Sequence, residues 1–530
     1  MKTKYKILTF SLIFAFALGL SSCSEDFLQT VPTDAVSTEI ALGSADNMML
    51  AINGVHRTLY AQNPDLIRFY AGQQYMIPMA EFGASDALHS AAGNGWFRGT
   101  LQWNTHTNAT TNDMSYAWWY YYNVIGSVNN IINASAELQM SDDLHNILGQ
   151  SYTYRAWAHF NLVRLFGKAY MIGNPSSDLG VPIMLATEPP YEGLARNSVQ
   201  EVYTQIEADL EEAFTHFQSA SGRVDLSHLN IDVAKGVAAR VYLTIGDWPN
   251  AEKYAREARQ GYDLMSESQF KSGFNSVNNP EWIWGSKMIT DQTAFFWSYF
   301  YYTSNNFNGS QNRSNPKFMN HKLYDMISET DYRRDLILKD APNTFYEWDK
   351  GDNAGRYASK EEFDAAVQEY RTIVNNSTAH NMVPYMHIKL QQADGPTTSP
   401  MDVIHMRAAE MYLTEAEALA RQGGKDAAAQ DVLYALISQR DAGYEKSTNT
   451  GQALIDEILV HRRIELFLEG HRWFDMLRND EELDLEGSGA NPDLYLDGYR
   501  QDRPSVNPKW VYLIPQREID ANPNIVQNQH

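Results

Sequence analysis

Between Arg462 and Arg478 the chain places Glu465, Glu469, His471 and Asp475 at near-helical spacing. Carboxylates and an imidazole on one helix face can bind a metal or move protons. The same stretch interleaves them with Arg462, Arg463, Arg472 and Arg478. Charges that alternate in this way build ion pairs within and between helices, so the segment is expected to hold the last helix to the rest. Other catalytic chemistry has no signature in the chain. There is no P-loop, no Gly-rich dinucleotide turn after a strand, no nucleophile elbow and no His-Glu-x-x-His. The single cysteine, Cys23, leaves no internal disulfide and argues against thiol catalysis. A pair of acids acting on a glycosidic bond stays open, because such carboxylates can lie anywhere in a chain. The expectation is no catalytic residue, no metal ligand and no cofactor.

Binding chemistry is better represented. Asp86 to His106 carries Trp96, Phe97 and Trp103 among Gly, Asn and Ser, without helical spacing. Aromatic rings in a polar loop suit sugars: a ring face packs on the C–H face of a pyranose while Asn, Asp and Arg bond the hydroxyls. A second candidate is Trp297 to Phe307, where Trp297, Tyr299, Tyr301 and Tyr302 precede Ser304, Asn305 and Asn306. Alternation at 297, 299 and 301 would put those rings on one face of an extended segment; the alternative is that half of them are core. The run Trp118 to Tyr122 lies within a helical pattern and is assigned mostly to packing.

These loops need a scaffold, and the rest of the chain reads as helical. Apolar residues recur at helical spacing over about Ala45–Tyr60, Asp113–Ala136 and His145–Phe166, the last stopped by Gly167. Ser198 is expected to cap a helix reaching about Phe217. Ile231–Tyr262 reads as two helices broken at Gly246-Asp247-Trp248-Pro249. Ala239, Tyr242, Gly246, Trp248, Ala251, Ala255 and Ala258 fall where a tetratricopeptide repeat needs small and aromatic residues to let two antiparallel helices approach. A weaker echo runs from Ala408 to Gln439 around Gly423-Gly424. The expected fold is mainly α, a tetratricopeptide-like solenoid of helix pairs at about 45–60, 113–166, 198–262 and 403–478. A loop-rich second lobe, about 62–112 and 268–400, would carry the ligand site, since loops of that length are usually functional.

The N-terminus sets the compartment. Lys2, Lys4 and Lys6 precede an apolar run from Ile7 to Leu20, and Leu20-Ser21-Ser22-Cys23 closes it. Residues 1–22 have the layout of a secretory signal, too short for a spanning helix. The small residues leading into a cysteine resemble a bacterial lipobox, so Cys23 is expected to carry a lipid that anchors the chain in a membrane, with 23–44 as a tether. The formal charge of −23 becomes more negative once the three signal lysines are removed. Such acidity argues against nucleic acid as a partner. Some of the 31 Tyr and 12 Trp must be core, but such residues also make good platforms for amphipathic ligands.

Taken in order along the chain, several motifs resemble the SusD/RagB-like outer-membrane lipoproteins of the Bacteroidota. They are Cys23 to Leu28 (CSEDFL), Arg155 to Gly167 (RAWAHFNLVRLFG), Gly180-Val181-Pro182-Ile183, Ala239 to Leu243 (ARVYL), Arg407 to Leu413 (RAAEMYL), Arg462 to Arg478 (RRIELFLEGHRWFDMLR) and Ile514 to Pro523 (IPQREIDANP). The resemblance implies four tetratricopeptide-like helix pairs and a protein without catalytic residues of its own. It also implies a lid over a SusC-like TonB-dependent transporter at the cell surface, binding an oligosaccharide or, in a minority of relatives, a peptide. In that family the loop equivalent to 86–106 supplies a Trp and an Asn, which points to Trp96 and Asn104. Asp86, in Ala84-Ser85-Asp86, resembles a recurrent position near the start of the loop; the alternative is that it caps a turn. Aromatics from the part of the chain around Trp297 are used by relatives as well.

Overall fold

The computed structural model describes residues 41–62, 70–90, 95–186, 193–289, 297–376, 379–393 and 401–530. The signal segment and Cys23 lie outside the described residues. Helix α1, Ala45–Thr58, begins at Ser44, whose hydroxyl accepts from the Asn47 N–H. It is followed by α2 (Gln73–Phe82), α3 (Asn112–Ser135), α4 (Asp142–Phe166), α5 (Val199–Phe217), α6 (Ile231–Ile245) and α7 (Trp248–Ala258). Ser198 closes a capping box with Glu201 at the start of α5. Gly246, at φ 80°, ends α6 in the left-handed conformation that a side chain resists, and Pro249 opens the next helix where its missing N–H is harmless.

Neighbouring helices pack in sequence order: α3 on α4, α4 on α5 and α6 on α7. In the last pair Ala239, Ala251, Ala255 and Ala258 are fully buried, so the backbones approach closely, while Tyr242 and Tyr254 stack at 5.5 Å beside them. After α8 (Lys360–Val374) in the loop-rich region come α9 (Ala408–Arg421), α10 (Asp426–Ile437), α11 (Gly451–Glu465) and α12 (Arg472–Arg478). Helix α9 packs against α7, α10 and α11, which joins the C-terminal helices to the solenoid. The fold is mainly α with tetratricopeptide-like helix pairs.

Two expectations about the intervening segments need correction. The last helical block starts at Ala408, not near 403. Val403–Arg407 is a strand paired antiparallel with Trp282–Ser286, both nearly completely buried, which suits their β-branched and aromatic residues. The second lobe also contains regular structure. Strands β1 (Ala87–His89), β2 (Lys317–Met319), β3 (Ile337–Leu338) and β4 (Met386–His387) form a small sheet in the order β1-β2-β4-β3.

The charged run at 462–478 fastens these parts together. Glu465 accepts from Arg333, Arg407 and Arg440, which come from three distant segments. Glu469 is held by Lys389 and Arg407. Asp475 takes Arg462 and Arg478, and Arg478 also meets Glu417. Burial pulls Glu465 toward protonation, but Arg440, Arg407 and Arg333 together hold it well below the usual carboxylate range. The carboxylates are therefore consumed by cations, as ion-pair builders and not as a proton relay. Most of the pairs run between segments, and they clamp the loop lobe to the last helices.

Candidate ligand-binding site

Trp96 stands at the entrance of a one-turn helix, Arg98–Leu101, that projects from the loop lobe. Phe97 and Trp103 flank this turn with φ of 54° and 57°, a region bulky residues rarely enter. The strain is offset because both rings reach the core. Phe97 packs on Tyr75, Phe82 and Tyr302, and Trp103 fits between His106, Trp473 and Trp510. The Trp103 indole N–H donates to the Gly83 carbonyl at 3.1 Å. The backbone N–H of Asn104 closes on the Gly99 carbonyl at 2.8 Å. A side chain on Gly99 would come within 2.6 Å of the Thr105 hydroxyl, so the turn is tight as well as anchored. Turning Phe97 inward leaves Trp96, its neighbour, half-buried at the surface.

Beside Trp96 lies an open pocket of about 520 Å³, a size that small ligands use. Its walls include Trp96, Arg98, Asn104, Asn108, Asp113 and Tyr75. Arg98, Asn104 and Asn108 are exposed. The Asn108 amide oxygen accepts from the Thr110 N–H and hydroxyl, which fixes the side chain with its NH₂ outward. Asp113 sits in the first turn of α3, where the helix dipole favours a carboxylate. Burial raises its pKa, against the pull of the Tyr75 hydroxyl, which donates to it, and of its own backbone. The pocket thus offers one aromatic face, a guanidinium, two amides and a carboxylate, donors and acceptors of the kind sugar hydroxyls require.

Trp297 supports that aromatic face. Its ring lies 5.0 Å from that of Trp96, tilted by 48°, and 5.4 Å from Tyr301 in an edge-to-face contact. Tyr301 is itself buried behind both tryptophans. The sequence candidates therefore separate into two groups. Trp96 and Asn104 line the pocket, Phe97 forms its floor, and Trp297 and Tyr301 back it.

Trp103, Asp86 and Tyr299 do not belong to a ligand surface, and their assignment is corrected. Trp103 is 2% exposed in an aromatic box. Asp86 is 1% exposed and paired with Arg463 at 2.7 Å and Arg472 at 3.3 Å. Burial would raise its pKa, yet the two guanidinium groups hold it down to about 2. It is a clamp, not a turn cap open to solvent. Tyr299 is fully buried and its hydroxyl donates to the Leu468 carbonyl at 2.7 Å. The extended segment expected at 297–301 is absent: Ser298 caps a short helix, Tyr299–Thr303, so residues 299 and 301 diverge. In the run 118–122 the packing assignment holds for four residues, while Trp119 is 43% exposed. Arg98, Asn108 and Asp113 were missed. Arg98 adjoins the aromatic pair, a usable signal; Asn108 lies in the loop and Asp113 at the start of α3, where residue type and spacing give none.

Comparison with known proteins places this geometry in context. A family model described as "SusD family" matches residues 251–530, and one described as "Starch-binding associating with outer membrane" matches residues 71–243. A curated relative, SusD-like protein P38 of Formosa agariphila, is 22% identical over 99% of each chain. Among solved structures, a SusD-like carbohydrate binding protein from Bacteroides vulgatus superposes with a TM-score of 0.74 at 22% identity, covering 91% of this chain and 97% of that one. A laminarin binding SusD-like protein superposes with a TM-score of 0.63 at 19% identity, covering 91% and 98%. With the first model spanning more than half of its length, and the helical solenoid and loop lobe as described, the chain belongs to the SusD family.

Proposed function

We propose that this protein is a cell-surface glycan receptor that captures an oligosaccharide at Trp96 and delivers it, chemically unchanged, to a SusC-like TonB-dependent transporter in the outer membrane. The observation that carries the reading is the half-exposed Trp96 ring at the edge of a pocket with Arg98, Asn104, Asn108 and Asp113. A sugar ring laid on the indole would place its hydroxyls among those four side chains. The binding named for the Bacteroides and laminarin relatives supports the ligand class, and the description of the family model supports an outer-membrane location. Lipid attachment at Cys23 would keep the receptor at the membrane. Contacts on one exposed sugar face give modest affinity, which suits a receptor that must release its cargo.

Affinity electrophoresis through gels containing single polysaccharides tests the proposal. Retardation in one gel, abolished in Trp96→Ala, with no product released from the polysaccharide, supports it. Migration unaffected by every glycan, with retention of peptides instead, would replace the glycan by a peptide. Release of product would make the protein an enzyme.

A further inference from the structure

Arg164, on α4, is a half-buried cation whose Nε is shielded from solvent. Its guanidinium is sandwiched between the rings of Phe160 and Phe474, at 3.9 and 3.7 Å. One terminal nitrogen donates to Asn161 at 2.7 Å, while the buried Nε has no acceptor among the described residues. Among the described residues no carboxylate forms an ion pair with it. Asp475 acts on it from a distance and is already held by Arg462 and Arg478. Burial draws the Arg164 pKa down to about 10, which leaves it charged at neutral pH.

Arg164 lines a small, partly open cavity of about 40 Å³, far from the size of a sugar site. Another wall is Trp284, 1% exposed, whose indole N–H has no acceptor among the described residues. The remaining charges around the cavity are matched. Arg240 donates to both carboxylate oxygens of Glu410. The Glu469 oxygens accept from Lys389 and Arg407. Burial pushes His471 down to about 4, so it is neutral at neutral pH. The cavity wall therefore carries one surplus positive charge and two N–H donors, themselves shielded from solvent, with no acceptor among the described residues. An unpaired charge in such a place is costly unless an anion or a well-placed solvent cluster compensates it. The volume exceeds the roughly 10–15 Å³ that one water needs, and suits an ion of few atoms.

We propose that this cavity binds a small monovalent anion, a halide or a one-carbon carboxylate, as the counterion of Arg164, with the Trp284 indole N–H as a second donor. The site is separate from the Trp96 pocket and independent of the glycan reading. It would tie α4 to the strand containing Trp284 and to the loop leading into α12.

Melting curves of the purified protein in sodium chloride, bromide, formate and gluconate at equal ionic strength test this, together with bromide anomalous diffraction. Gluconate is too large for the cavity and serves as the reference. The expected result is a saturable rise in melting temperature of about 1–3 °C in the small anions, with a bromide peak beside Arg164. A larger rise in formate than in the halides would identify a carboxylate; the reverse order would identify a halide. The rise should vanish in Arg164→Gln and shrink in Trp284→Phe, which keeps the ring and loses only the N–H. Should Arg164→Gln fail to fold, Trp284→Phe and the diffraction decide. No rise in any of the small anions together with no bromide signal beside Arg164, or an anion response unchanged in Trp284→Phe, would overturn the proposal.

Discussion

The rings of Trp96 and Trp297 meet at 5.0 Å with a 48° tilt, although one belongs to the loop before α3 and the other to the segment before Tyr299–Thr303. The contact couples the two halves of the loop lobe at the pocket edge. Trp297→Ala should therefore weaken glycan binding by about tenfold, or 1.4 kcal/mol, by freeing the Trp96 ring. Trp297→Phe should recover most of that loss, because a smaller ring still supports the indole. Titration of both variants against the same glycan checks the order; equal losses in both would mean that Trp297 touches the sugar itself.

Trp103 and Asp86 should affect stability and not affinity. Trp103→Phe removes the bond to the Gly83 carbonyl and part of a fully packed ring, at a cost of about 1–3 kcal/mol. Asp86→Ala leaves half-buried Arg463 without its carboxylate and buried Arg472 with Glu481 alone, at a cost of about 2–4 kcal/mol. Urea unfolding measures both losses, and titration of the folded variants should return the parental affinity. A large drop in affinity for folded Trp103→Phe would restore that residue to the site.

Stability should have an acid limb and a neutral limb with opposite origins. Burial opposes ionisation of Asp86 and Glu410, but Arg463 and Arg472 hold the first down to about 2, and Arg240 and His471 hold the second down to about 2. The unfolded chain takes up these protons first, so their stabilisation is complete above about pH 4.5 and is lost as the pH falls toward 2. Glu81 behaves in the reverse sense. Burial, and then the charge of Asp86, raise it to about 7, against the N–H groups of Gly470, Arg472 and His471 that donate to it. The folded state keeps a proton that the unfolded state releases, so its contribution is full below about pH 4.5 and is lost as the pH rises through 7. Glu81→Gln should gain up to about 3 kcal/mol over the parent near pH 8 and little near pH 4. Urea midpoints at the two pH values provide the comparison; equal effects at both would contradict the assignment.

Cys23→Ala should remove metabolic labelling by a palmitate analogue and move the protein from the membrane fraction to the soluble one. Retained labelling would place the lipid elsewhere.

The helical scaffold was legible because its signals are local. Ser198 with Glu201 marks a capped start, Gly246 with Pro249 marks a break, and Ala251, Ala255 and Ala258 mark a close-packed face. The polar clamp was legible in kind, since alternating Arg and Glu at 462–478 announce ion pairs, but its partners Arg333, Lys389 and Arg440 come from elsewhere in the chain. The binding loop was legible only in outline. Whether Trp96 or Trp103 faces solvent depends on two positive φ angles and on a box formed by Trp473 and Trp510, none of which spacing reveals. The same holds for Tyr299 and Tyr301: a Ser298 cap turned the expected extended segment into a helix and sent one ring into the core.

Glycan capture is assigned to Trp96 as its platform. Calorimetric titration of the soluble protein, begun after Cys23, against plant, fungal and host-mucin glycans tests it most directly, with Trp96→Ala alongside. The account predicts saturable binding to one glycan class, no product formed, and a loss of tenfold or more, about 1.4 kcal/mol, in a variant that unfolds at the parental urea concentration. Undiminished binding in Trp96→Ala, or heat from peptides and from no glycan, would contradict it.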